Sequence, residues 1–143
     1  MMKVTIKKGL MVPIANFMYE IELVRKQSRM RRQLIKILNE HEETLKDDKR
    51  HMLEEHSKKD EEGKALINDG QYQLTDKDAF TKDLKELTEE EIVIEGEGNR
   101  EMIRSIRSTL KKLEDNVYKG SDSEIYDYLC DQFSVDELEG GEN

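Results

Sequence analysis

The chain has 143 residues with 24 Lys and Arg against 33 Asp and Glu, a formal net charge of −9, and at that length one domain is the default. Hydrophobic residues at 35% and charged residues at 40% allow one modest core with an element left out in water. One Cys, one Pro and eight Gly exclude a disulfide scaffold and a Pro/Gly-rich disordered chain. The longest apolar run, residues 10–15, is too short for a membrane span or a signal-peptide core, so the expectation is a soluble, intracellular protein.

Val4 and Ile6 alternate with Lys3, Thr5 and Lys7, the period of a half-buried strand. With Gly9 as a turn before residues 10–12, a short strand pair is expected. Pro13 then sits where a helix begins, and Ile14, Phe17, Met18 and Ile21 follow at the spacing of one apolar stripe. Around residues 24–28 the stripe lapses, so either Ser28 caps a second helix or the first continues with a kink, and a long helix is expected over about 28–58. Along it Leu34, Leu38, His41, Leu45 and Met52 keep a four-three rhythm interrupted by Asp48, a sparsely filled coiled-coil-like seam. Opposite charges three or four residues apart fill most of the rest, so its far half is expected to project or to form a hairpin.

Asp69-Gly70 predicts a hairpin across 65–74, because both central positions of a type I′ turn need positive φ. Thr75, with Asp78 three residues on, predicts the start of a helix buried through Phe80, Leu84 and Leu87. Ile92-Val93-Ile94 reads as a strand ended by Gly96-Glu97-Gly98. Met102, Ile103, Ile106, Leu110, Leu113 and Val117 give a helix stopped at Gly120. Ser121-Asp122-Ser123-Glu124 has the pattern of a capping box for a last helix facing inward through Ile125, Tyr128, Leu129 and Phe133. The expected fold is mainly helical α+β: a single domain over 1–133 with about five helices, one of them long and charged. A small antiparallel sheet would combine the N-terminal segment, the hairpin and 92–95, and residues 134–143 would form an acidic flexible tail.

Residue types with catalytic or metal-binding chemistry do not fall into working patterns. A zinc-protease helix needs two His four apart with a Glu between them; Leu45 stands where the partner of His41 would be, and His51 and His56 are one residue too far apart for the inverted motif. Cys130 has no His near it in sequence and reads as a small core residue. Gly96-Glu97-Gly98 lacks the third glycine of a dinucleotide loop and would set Glu97 against a phosphate. Asp60-Glu61-Glu62-Gly63 lacks the alternating ligands of a calcium loop. No enzymatic activity, metal or cofactor is expected.

Charge is distributed unevenly. Residues 1–38 hold nine Lys/Arg and two acids, a net of +7; the remaining residues hold 15 basic and 31 acidic side chains, a net of −16. Arg25, Lys26, Arg29, Arg31, Arg32 and Lys36 stand together with no acid among them. This is a candidate basic patch for phosphates, for an acidic partner or for the chain's own acidic helices. No aromatic residue interleaves it, so stacking on single-stranded bases has no support. The candidate partner-binding seam is Leu34, Leu38, Leu45 and Met52.

Met2-Lys3-Val4-Thr5-Ile6-Lys7 through Pro13, Asn16-Phe17 and Glu20-Ile21-Glu22-Leu23 resembles a family of small uncharacterised proteins from tailed phages and prophages of Gram-positive bacteria. So do Ser28-Arg29-x-Arg31 with Leu34-Ile35-Lys36, Lys59-Asp60-Glu61-Glu62-Gly63, Asp69-Gly70, residues 91–95 and Glu124-Ile125-Tyr126-Asp127. The resemblance spans nearly the whole chain and implies a viral origin, in the host cytoplasm or the virion, without supplying site residues. The leading expectation is a non-enzymatic accessory protein that acts by protein-protein interaction or self-association, in virion or tail assembly. The alternatives are an acidic inhibitor of a host nucleic-acid-handling or defence protein, and a nucleic-acid-binding regulator using the Arg25–Lys36 stripe. No membrane partner is expected.

Overall fold

A computed structural model describes residues 2–136. Among the described residues, five α-helices, a 3-10 turn near the start and two small antiparallel sheets make a mainly helical α+β fold. In chain order these are β1 (Lys3–Lys7), the 3-10 turn (Lys8–Leu10), α1 (Met11–Tyr19), α2 (Arg25–His56), β2 (Ile67–Asn68) and β3 (Gln71–Tyr72). They continue with α3 (Lys77–Glu89), β4 (Glu91–Glu95), α4 (Glu97–Lys112) and α5 (Gly120–Gln132). Among the described residues no helix is long and apolar enough to cross a membrane.

The N-terminal segment does not pair with itself. Residues 8–10 wind into the 3-10 turn, and β1 finds its partner in β4, with Val4 opposite Ile94 and Ile6 opposite Ile92. These four side chains face the core. On the outer face Lys3 lies opposite Glu95 and Lys7 opposite Glu91, a placement of opposite charges that favours this register. A two-stranded ladder is marginal alone, and α5 supports this one. Thr5 Oγ1 donates to Gln132 Oε1 at 3.0 Å, and the Lys7 amide donates to the Tyr128 hydroxyl at 2.9 Å.

The hairpin is a separate sheet rather than a third strand of the first. Asp69 and Gly70 turn it with φ of 52° and 76°, and Ile67 pairs with Tyr72, as Asp69-Gly70 predicts. Bridges from Ser57 to Leu74 and from Lys59 to Ala65 tie this small sheet to the end of α2.

The long helix begins at Arg25, three residues before Ser28, with extended Val24 at its cap position and no side-chain cap bond. Ser28 lies inside the helix because its amide already bonds the Val24 carbonyl. The far half of α2 does not project: α3 folds back against it, His56 Nε2 meets Asp83 Oδ2 at 2.9 Å and the His56 ring lies edge-on to Phe80. Leu34, Leu38 and Leu45 are all at or below 2% exposure, and Met52 is half-buried against the same core. The seam is therefore filled by the chain's own elements, which corrects its reading as an open partner-binding stripe. The rhythm was sparse because α1, α3 and α4 supply the remaining apolar side chains.

Caps also move by a residue or more. Asp76, not Thr75, caps α3, accepting from the amides of Asp78 and Ala79; Thr75 instead donates to the His56 carbonyl. α5 starts at Gly120 without a side-chain cap, so Ser121 sits within the helix and the predicted box does not form. Gly96 ends β4 and caps α4 at φ 99°, a conformation that costs an L side chain strain. Phe133 and Val135 are both buried, which carries the core past the predicted boundary at 133; residues 137–143 of the expected tail lie outside the described residues.

Leu38→Ala is expected to lower unfolding free energy by about 2–5 kcal/mol, as for other large-to-small changes in a packed core. His41→Ala, at an exposed position of the same seam, is expected to change it by less than about 0.5 kcal/mol. Paired denaturant titrations check both.

Candidate functional site

On a helix each residue advances by about 100°, and this separates the six predicted cations. Arg25, Arg29, Arg32 and Lys36 are all exposed and fall within roughly 60° of one another, opposite the buried Leu34, Leu38 and Leu45. They span roughly 16 Å of helix axis. Among the described residues, none of the four is within ion-pair distance of a carboxylate.

The other two cations leave the stripe. Lys26 points toward α4, with its Nζ 3.3 Å from Glu101 Oε1. Arg31 is half-buried and turns toward α1, where its guanidinium donates to the carbonyls of Met18 at 3.0 Å, Tyr19 at 3.3 Å and Ile21. The last carbonyls of a helix lack intrahelical donors and carry partial negative charge. Arg31 thus caps α1 and is not part of an open basic patch. Arg107, inside α4 and 7% exposed, does the same for α5, its Nε donating to the Phe133 carbonyl at 2.6 Å. Sequence inspection missed both because an arginine's target carbonyl lies on another helix and leaves no local pattern.

The exposed face of α2 changes sign farther along. Glu40, Glu43 and Asp47 fall on the same side as the cations and are exposed. Lys46 and Arg50 approach Glu43 and Asp47 at 3.9 and 3.7 Å, solvent-exposed pairs that contribute little. Beside the sign change lies a hollow of about 820 Å³. It is floored by Ile35 and the 45%-exposed Val12 and edged by Arg32, Lys36, Glu40 and Glu43.

No metal cluster of three or more His, Cys, Asp or Glu forms among the described residues. Cys130 is partly buried against the core, and burial pushes its thiol above the ordinary range, the Tyr126 contact opposing this and nearby Asp carboxylates adding to it. A thiol held protonated is a poor nucleophile. Tyr126 is pushed up as well, by burial and then by its contact with Cys130, while its hydroxyl donates to the Leu110 carbonyl at 2.7 Å.

Arg31→Ala is expected to cost about 1.5–3 kcal/mol of stability, the range for hydrogen bonds from a charged donor. Arg29→Ala, fully in water, is expected to cost less than about 0.5 kcal/mol. Thermal melts of the two variants separate the capping arginine from the surface one. The raised Tyr126 and Cys130 have a further consequence at alkaline pH. The unfolded chain releases these protons at the ordinary values while the native protein still holds them, so the native state binds more protons and stability falls as pH rises. Unfolding titrations from neutral pH to above about 10, the ordinary Tyr value, should show this decline, and Tyr126→Phe should flatten it. No protein-family model, curated protein or solved structure matches the chain.

Proposed function

We propose that the protein is a non-enzymatic phage accessory factor that works by protein-protein interaction, as a small component of virion or tail assembly. The observation that carries this reading is the outward face of α2. Four cations, a small apolar hollow and then three acids run along one side of a helix whose other side is committed to the core. A protein surface with segregated charge and an apolar point complements that sequence of groups, with charge setting the register and the Val12–Ile35 hollow excluding water. A second reading, nucleic-acid binding, is favoured by the alignment of Arg25, Arg29, Arg32 and Lys36 over a distance that spans successive phosphates. It is opposed by Glu40, Glu43 and Asp47 on the same face, which would repel a phosphate backbone continuing along the helix.

The test is a tagged pull-down from infected cells at low and high salt, comparing the native protein with an R25E/R29E/R32E/K36E variant, with mass spectrometry of the retained fraction. Recovery of phage structural proteins by the native chain and their loss with the variant is the expected outcome. Nuclease-sensitive retention of nucleic acid alone would transfer the face to the second reading. Equal recovery by both proteins would remove the face from the interaction altogether.

A further inference from the structure

A second concavity lies away from the outward face of α2. It is a groove of about 1090 Å³ bounded by α1, the segment 20–22, the connection after α4 and the start of α5. Phe17, Tyr118 and Ile125 form its apolar interior. Tyr118 stacks on the buried Tyr126 at 4.8 Å between ring centroids, and Phe17 tilts against Tyr118 at 5.5 Å. The floor is therefore held by rings already packed on one another. At the mouth, Tyr19 is 72% exposed, and Val117, between the lining residues Asn116 and Tyr118, is 87% exposed.

The rim is acidic on both sides. Glu20 and Glu22 stand on one edge, Asp122 and Glu124 on the other, and no Lys or Arg lines the groove. All four are exposed, and among the described residues none is in an ion pair. Folding explains only part of this. Asp122 is in the first turn of α5, where the helix dipole favours a carboxylate. Glu20, by contrast, is the C-terminal cap of α1, where the dipole disfavours one, and Glu22 follows two residues on. Like charges facing each other across an apolar cleft also repel. Exposed carboxylates without an ion pair on both edges of a cleft, beside exposed apolar side chains, are the pattern of a surface awaiting an opposite charge.

We infer that this groove receives a peptide segment of a partner protein carrying Lys or Arg on either side of an apolar or aromatic anchor. The anchor would occupy the space over Phe17, Tyr118 and Ile125, and the flanking cations would reach the two acidic edges. Their aliphatic stems would cover Tyr19 and Val117, with cation–π contact to the tyrosines. Four unpaired carboxylates exclude a phosphate backbone or an anionic lipid surface as occupant. The inference concerns a different surface from the α2 face, so loss of function in the R25E/R29E/R32E/K36E variant leaves it standing.

The probe is a fluorescent peptide with a Phe-Leu centre flanked on both sides by lysines, titrated into the full chain and read by anisotropy and by amide NMR shifts. Expected are shifts confined to residues 17–22 and 113–125, binding weakened by added salt, and no binding of the same peptide with Glu in place of Lys. An E20K/E124K variant, altered only at exposed positions, should bind at least about tenfold more weakly. Tyr19→Ala should weaken binding several-fold while leaving the melting temperature unchanged. Unaltered binding by E20K/E124K, shifts located elsewhere, or equal binding of the Glu peptide would overturn the inference. So would a concentration-dependent dimer of the protein alone with its contacts in the groove, since the occupant would then be a second copy.

Discussion

The junction between α1 and α2 depends on one side chain. Arg31 reaches from the second turn of α2 to the last two carbonyls of α1 and to that of Ile21 just beyond it. A helix end without donors leaves polar groups to be satisfied by water or by another part of the protein. Here one guanidinium, with its fixed fork of donors, satisfies several at once. It thereby determines where the chain goes between the two helices. Residues 19–22 are the ones held in this way, and they include Tyr19, Glu20 and Glu22 on the groove edge. The cap is thus a structural element that also positions one edge of the groove, through the backbone of Tyr19 and Ile21.

The same solution appears at the end of α5, where Arg107 bonds the Phe133 carbonyl and α5 in turn braces β1 through Gln132 and Tyr128. Low apolar content gives this fold few side chains with which to lock helix to helix. Charged side chains that bond backbone carbonyls compensate, because such bonds carry both direction and net stabilisation. Arginine suits this task better than lysine, as its planar group stays charged and can serve adjacent acceptors.

Local patterns were legible from the residues alone. Asp69-Gly70 specified its turn through backbone conformation, the alternation at Val4 and Ile6 specified a strand, and the apolar spacing in α4 specified a helix. What could not be read was which element meets which. The strand at 3–7 carries no mark naming 91–95 as its partner, so an N-terminal pair was the nearer reading. The seam on α2 looked open because its complement lies on α1, α3 and α4. Of the six basic residues, helical geometry sorts four onto one face. The inward turn of Arg31 follows only from the position of α1, and the groove edges come from segments a hundred residues apart that periodicity treats separately.

The pairing of β1 with β4 and α5 also sets the order in which the molecule can be completed. The Lys7 amide bonds a hydroxyl 121 residues further along the chain, so the first strand finds its neighbours only after nearly everything else has been synthesised. Until then Val4, Ile6 and the buried face of α2 have no full cover. Contacts at such separation close late and slowly compared with those inside a helix. The abundance of charge along α2 then has a second consequence: it keeps an unfinished chain dispersed in water while its apolar stripe waits for strands and helices still to come.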